Sequence, residues 1–184
     1  YNLKVIDYGF PSTQNANKTR IGTAAYMAPE VANGKVYSGA NADLFAAGII
    51  LFIMVAGHQP FMFPLPDDEH YKTIHSNRPD FFWKMHWKTK EEGADFFSAE
   101  FKDLVTHLLQ YDPMHRLSIA EIMKHDWYQG NKPTQEEIFQ EFIRRQEVMK
   151  KQNMNVDGET EDYELEKIDT SVFKTRKVSL ILDK

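Results

Sequence analysis

The chain has 184 residues, 42% hydrophobic and 13% aromatic, which suits one globular domain with a core and an appendage and excludes a chain disordered throughout. A net charge of −5 argues against general affinity for nucleic acid or for an acidic membrane surface. The absence of cysteine excludes disulfides and thiolate metal sites, and fits an intracellular, cytoplasmic location.

The chain opens with LKVI (3–6), which reads as a strand; no apolar stretch typical of a signal peptide is present there. Because the first residue is Tyr1 and not Met, the chain is expected either to have been cut or to begin mid-gene. Residues 10–28 are rich in Ser, Thr, Asn, Gly and Pro and read as a loop. A short helix is expected after Pro29, then a longer one over 41–57. The apolar run in the latter, LFAAGIILFIMVAG (44–57), has 14 residues next to Asp43. A bilayer needs about 20, so a buried core helix is expected and no membrane association.

Residues 67–75 (DDEHYKTIH) have an acidic start and helical spacing of Tyr71 and Ile74. Pro79 is expected to break the chain, leaving FFWKMHWK as an aromatic segment against the core. Over 98–110, Ser98 is the N-cap, and Phe101, Leu104, Val105, Leu108 and Leu109 trace one helical face. Ser118 caps a further short helix over 118–124. After Gly130 the character changes: a charged helix over 134–151 carries Ile138, Phe142 and Met149 on one side, residues 153–166 are acidic, and KVSLIL near the end is strand-like. The reading is therefore mainly α, with a domain over 1–130 and a C-terminal helix and flexible acidic tail over 131–184.

The stretch LKVIDYGFPS (3–12) places Asp7 at the end of an apolar strand, followed by Tyr8 and Gly9. A carboxylate there needs a partner. Downstream follow GTAAYMAPEV (22–31), DLFAAG (43–48), GHQPF (57–61), DPMHRLS (112–118) and HDW (125–127). In this order and spacing these segments resemble the C-lobe half of a eukaryotic serine/threonine protein kinase domain, over roughly residues 1–130. The closest groups are the calcium/calmodulin-dependent and AMP-activated kinases. DYG alone would say little, whereas APE followed by an Asp-led core helix and P-x-x-R-x-S is specific.

The resemblance implies roles residue by residue. Asp7 matches the aspartate that holds Mg²⁺ on ATP, a hard cation suited to carboxylate oxygen, and Gly9 lets the backbone turn beside the nucleotide. Tyr8 stands where Phe is usual, and its hydroxyl needs a partner or water. Glu30 and Arg116 match a buried structural ion pair. Thr23, with Gly22 and Tyr26, matches the platform for the substrate hydroxyl in serine/threonine kinases; a local cap is the alternative. Thr19, four residues earlier, matches an activating phosphosite, with a solvated loop threonine as the alternative and Ser12 and Thr13 as weaker candidates. Asp43 matches a buried anchor that accepts hydrogen bonds from the catalytic-loop backbone, although Phe45 and Ala46 stand where Trp and Ser are usual.

No residue of the chain matches the glycine-rich loop, the β3 lysine, the αC glutamate or the catalytic loop with its base; all are expected upstream of Tyr1. The chain is thus expected to be a partial catalytic domain, lacking the N-lobe and catalytic loop and inactive alone. One side of the 44–57 helix is expected to be bare. Expected partners are a protein substrate and an upstream activating kinase. The alternative is a catalytically inactive kinase-like interaction module that docks a partner on that exposed helix. In the tail, NMNVDGETEDYE (153–164) has oxygen-bearing residues at positions 1, 3, 5, 9 and 12 and Gly at 6, the spacing of an EF-hand loop. Asn153 in first place, Thr160 in eighth and the lack of a second hand favour a solvated acidic linker, so calcium is not expected as a ligand.

Overall fold

The computed structural model describes residues 4–6, 16–20, 22–76 and 78–154. The chain divides into two compact units, one comprising Asp7–Gln129 and the other Tyr1–Ile6 with Gly130–Lys184. Among the described residues the fold is helical. The only strand-type pairing there is an isolated antiparallel bridge between Asn17 and Tyr37. Residues 4–6, expected to belong to a strand, are not in one. Val5 and Ile6 have the apolar, β-branched side chains of a strand, but both are largely exposed, and a strand is held chiefly by what its face packs against. KVSLIL and most of the acidic 153–164 segment lie outside the described residues.

In the first unit the order begins with α1 (Pro29–Ala32), entered through a proline at its first position, and α2 (Gly39–Ala56). Helix α2 stops at Gly57, whose φ of 77° only glycine adopts readily and whose N–H donates to the Ile53 carbonyl at 2.9 Å. By length and composition α2 could cross a membrane: it starts at Gly39, ahead of the apolar run counted from residue 44. Its packing, however, is that of a core helix. Phe45, Ile49 and Phe52 are fully buried, while Ile50 is half exposed and Ala46, Ala47, Ile53 and Met54 are partly covered.

Helix α2 packs on α5 (Ala99–Leu108), which buries Phe101, Leu104, Val105 and Leu108. Their spacing is the stripe visible in the sequence. Ser98 Oγ accepts from the Phe101 N–H at 3.2 Å, capping α5 as its position suggests. Close approach is possible because position 48 is glycine: a Cβ there would lie 2.8 Å from Leu108 Cβ.

Between them lie α3 (Tyr71–His75) and α4 (Pro79–Trp87). The acidic start expected to be helical, residues 67–70, is instead a clasp. Asp68 Oδ2 accepts from the N–H groups of Met62 and Phe63 at 3.0 and 3.1 Å, and Oδ1 from those of His70 and Tyr71 at 2.9 Å each. The aromatic segment after Pro79 is a helix, contrary to the expected break. Proline stands at the first helical position, where its missing N–H has no intrahelical partner to lose. Phe82, Trp83 and His86 form its buried face. Phe97 then stacks on Phe101 with centroids 5.8 Å apart and meets Trp83 at 5.0 Å, closing an aromatic core. Two short helices end this unit, α6 (Ile119–Ile122), held by a reciprocal Ser118–Glu121 capping box, and α7 (Asp126–Gln129), which buries Trp127.

The second unit contains α8 (Gln135–Met154). Thr134 and Glu137 cap it reciprocally: the Thr134 N–H donates to Glu137 Oε2 at 2.9 Å and the Glu137 N–H donates to Thr134 Oγ1 at 3.2 Å. Hydrogen bonds from Arg144, and then Arg145, hold the Glu141 carboxyl down at about 2.

The α2–α5 contact yields a contrast. Gly48→Ala is expected to destabilise by about 1–3 kcal/mol, because the new methyl meets Leu108 Cβ and not a pliable side-chain end. Gly39→Ala, whose Cβ meets only Asn17 Nδ2 at 3.6 Å, is expected to be neutral or slightly stabilising. Urea denaturation of both variants measures the difference.

Candidate functional site

The candidate site is built on the segment between residues 16 and 32. Asn17 and Tyr37 exchange both backbone hydrogen bonds at 2.9 Å, and the Tyr37 hydroxyl donates to the Thr19 carbonyl at 2.9 Å. Thr19 is thereby held by its backbone while its side chain is exposed. Gly22 has φ of 121°, outside the range most side chains tolerate. Thr23 follows and opens a 3₁₀ turn over Ala24–Tyr26, accepting at its carbonyl from the Tyr26 N–H at 3.0 Å. Its own hydroxyl does not cap the turn, and the residue is exposed.

Beyond the turn the chain dives into the core at Met27, Ala28 and Pro29, and Glu30 is buried. Arg116, 86 positions later, meets it face to face. Nη1 donates to Glu30 Oε1 at 2.7 Å and Nη2 to Oε2 at 2.6 Å, a bidentate fork. The remaining donors are taken by carbonyls: Nη1 by Asn41 at 2.9 Å, Nη2 by Tyr111 at 3.3 Å and Nε by Gln110 at 2.9 Å. The guanidinium also lies over the Phe45 ring, 4.9 Å from its centroid. Nearby, the buried Tyr71 hydroxyl donates to the Leu109 carbonyl at 3.1 Å, and burial drives its phenol well above its ordinary value.

Asp43 departs from the sequence reading. It was expected as a buried anchor, but its side chain is exposed and no described residue hydrogen-bonds to it. The backbone that would donate to it belongs to a catalytic loop that none of the described residues supplies. Partial covering by the helix raises its carboxyl through desolvation. The carbonyl of Asn41, two residues earlier, makes the buried contact to Arg116 instead.

Asp7 and Gly9, with Tyr8, Ser12 and Thr13, lie outside the described residues. Among the described residues no group of three or more His, Asp or Glu side chains could hold a metal ion. The described part therefore does not by itself make a Mg²⁺–ATP site, and the assignment of Asp7 stays with the sequence pattern. What the described part does show is an exposed Gly22–Thr23 step whose downstream end is bolted to the helical floor. Sequence reasoning missed the three carbonyls around Arg116 and the Asp68 clasp. For the clasp, the available signal was an aspartate three residues before a helix start.

The sequence matches the protein kinase domain family over residues 1–128. The chain belongs to that family. It is 38% identical over 133 residues to CBL-interacting protein kinase 11 of Oryza sativa subsp. japonica, covering 69% of this chain and 24% of that protein. It is 35% identical over 136 residues to a carbon catabolite-derepressing protein kinase of Secale cereale, covering 72% and 24%. With CBL-interacting serine/threonine-protein kinase 13 of Arabidopsis thaliana the identity is 37% over 133 residues, covering 69% and 24%. The chain thus spans about a quarter of the length of the curated relatives it matches. Within the kinase family it is a serine/threonine-type domain related to the calcium/calmodulin-dependent and AMP-activated groups.

The Glu30–Arg116 geometry sets a stability prediction. Glu30→Ala and Arg116→Ala are each expected to cost about 3–5 kcal/mol, because each strands the other charge in the core. The double variant should lose much less than the sum of the two, which a double-mutant cycle in urea measures directly.

Proposed function

We propose that this chain is part of the catalytic domain of a serine/threonine protein kinase, inactive by itself, that contributes the substrate platform. The observation that supports this best is the pairing of an exposed Thr23 hydroxyl with a buried bidentate anchor seven residues later. A platform that must hold a substrate hydroxyl in line needs its backbone fixed, since most of the catalytic gain in phosphoryl transfer is positioning and charge stabilisation. Gly22 lets the chain turn ahead of Thr23, and Glu30 and Arg116 prevent the following turn from drifting.

Mg²⁺ bound to ATP supplies charge neutralisation at the transferred phosphoryl group, and Asp7 is the carboxylate the sequence pattern assigns to it. Thr19 is proposed as the acceptor for an upstream kinase. It is exposed, its backbone is tied to Tyr37, and Lys18 and Arg20 flank it with positive charge that a phosphate could draw in. The substrate is proposed to be a protein carrying Ser or Thr, and the location intracellular.

The test compares two proteins. The 184-residue chain, given Mg-ATP and a generic peptide, is expected to show no transfer. The longer protein that contains it should label Ser or Thr and not Tyr, and Asp7→Ala there should lower the rate by at least about 10²-fold, the loss typical of removing one group that stabilises transition-state charge. A longer protein that binds partners but transfers no phosphate would favour the interaction-module reading.

A further inference from the structure

Away from the platform, three imidazoles meet around one buried nitrogen. His86 lies on the inner face of α4, 4% exposed, with its ring 4.7 Å from Phe52 and 4.5 Å from Phe82. Its Nε2 is the buried side-chain nitrogen or oxygen that finds no hydrogen-bond partner among the described residues. The His58 ring stacks on it at 5.2 Å with planes 26° apart, and the His70 ring lies at 5.3 Å. His58 belongs to the turn that follows α2, and His70 to the residue that precedes α3. The cluster therefore closes both ends of one segment, 57–70, onto α4.

We propose that His58, His70 and His86 form a proton-responsive latch, which holds the 57–70 segment on the helical core at neutral pH and releases it on acidification. An unpaired buried nitrogen is tolerable only while the ring is neutral; protonated, the ring would hold a charge among Phe52 and Phe82 with its Nε2–H lacking an acceptor. No compensating charge is offered from the elements packed around it. The turn after α2 presents His58, the start of α3 presents His70, and the chain beyond α4 presents Lys90, whose Nζ donates to the Ala56 carbonyl at 2.9 Å. Helix α2 itself contributes the apolar ring of Phe52 and α4 that of Phe82. Burial first, then His58 and His70, hold His86 down at about 3; the Pro60 carbonyl pulls weakly the other way, and Lys90 adds a smaller push down.

Asp68 ties the middle of the segment to its end. One carboxylate binds the N–H groups of Met62 and Phe63 on one side and those of His70 and Tyr71 on the other. Displacing His70 from His86 therefore strains the clasp that holds Met62 and Phe63, two exposed apolar side chains. The sign follows from proton binding. His86 is depressed when the segment is closed and regains its ordinary value of about 6.5 when it opens. Below about 6.5 the open form binds a proton that the closed form does not, so closure weakens tenfold per pH unit down to about 3.

Hydrogen exchange on the 184-residue chain tests this without any nucleotide or substrate, so failure of the kinase reading leaves it untouched. Protection factors of the Met62, Phe63, His70 and Tyr71 amides are followed from pH 7 to pH 5, with the Leu104 and Val105 amides of α5 as reference. The expected result is a decline in the segment of about 30-fold by pH 5, with α5 unchanged. His86→Phe, or His86→Met should the first not fold, is expected to abolish that decline. Constant protection in the segment, a decline shared equally by α5, or a decline that survives the substitution overturns the latch. Should neither variant fold, imidazole NMR of the unsubstituted chain decides: His86 protonated at pH 5 while the segment stays protected overturns it, and His86 protonated only as protection is lost supports it.

Discussion

The fold of the first unit hangs on one guanidinium. Arg116 has five N–H donors and each is used, two on the Glu30 carboxylate and three on the carbonyls of Asn41, Gln110 and Tyr111. Those acceptors come from the end of the platform segment, the first turns of α2 and the stretch just after α5. A lysine could supply the charge but not the fork, and would leave several of these carbonyls unpaired in the core. A buried ion pair is weak as a source of net stability, since desolvating two charges offsets most of their attraction. Its value here is geometric: three stretches distant in sequence are fixed to a planar group with one acceptable orientation.

Much of this was legible beforehand, for reasons that differ by element. The α5 helix could be read because a Ser cap and an apolar stripe at helical spacing are both local signals. Glu30 and Arg116 could be read only through the motif order APE and P-x-x-R-x-S, since nothing local relates residues 86 positions apart. Helix α4 was misread because Pro79 looks like a breaker unless the helix start is already known. Asp43 is exposed, since a motif position carries its burial only together with the segment that covers it. Of the Asp68 clasp only the half at the start of α3 had a local signal: its other backbone donors, Met62 and Phe63, approach the carboxylate through the packing of Phe61 against Phe45 and Tyr71. Asp7 and Gly9, the residues the pattern weights most for nucleotide chemistry, stand outside the described residues.

Helix α2 serves two buried nitrogen bases, and it treats them in opposite ways. Phe45 lies under the Arg116 guanidinium, and Phe52, two helical turns on, lies against the His86 imidazole. The surroundings are similar in kind: aromatic faces and little water. The outcomes differ because of what completes each shell. Arg116 cannot shed its proton, so its pocket must supply a carboxylate and carbonyls, and it does. His86 can, so its pocket supplies two further imidazoles and a distant lysine, and the ring stays neutral with one nitrogen unmatched.

That contrast separates a permanent joint from a conditional one. Both partners of the guanidinium–carboxylate pair are buried, so dissolved salt screens this contact little. The 57–70 segment is held by aromatic packing and by a carboxylate that binds backbone N–H groups, with an uncharged imidazole at its back. Two ends of the same core helix therefore carry different kinds of attachment. One is a rigid bidentate pair completed by three carbonyls. The other suits a surface, with Met62 and Phe63 outermost, whose exposure can change without disturbing the first.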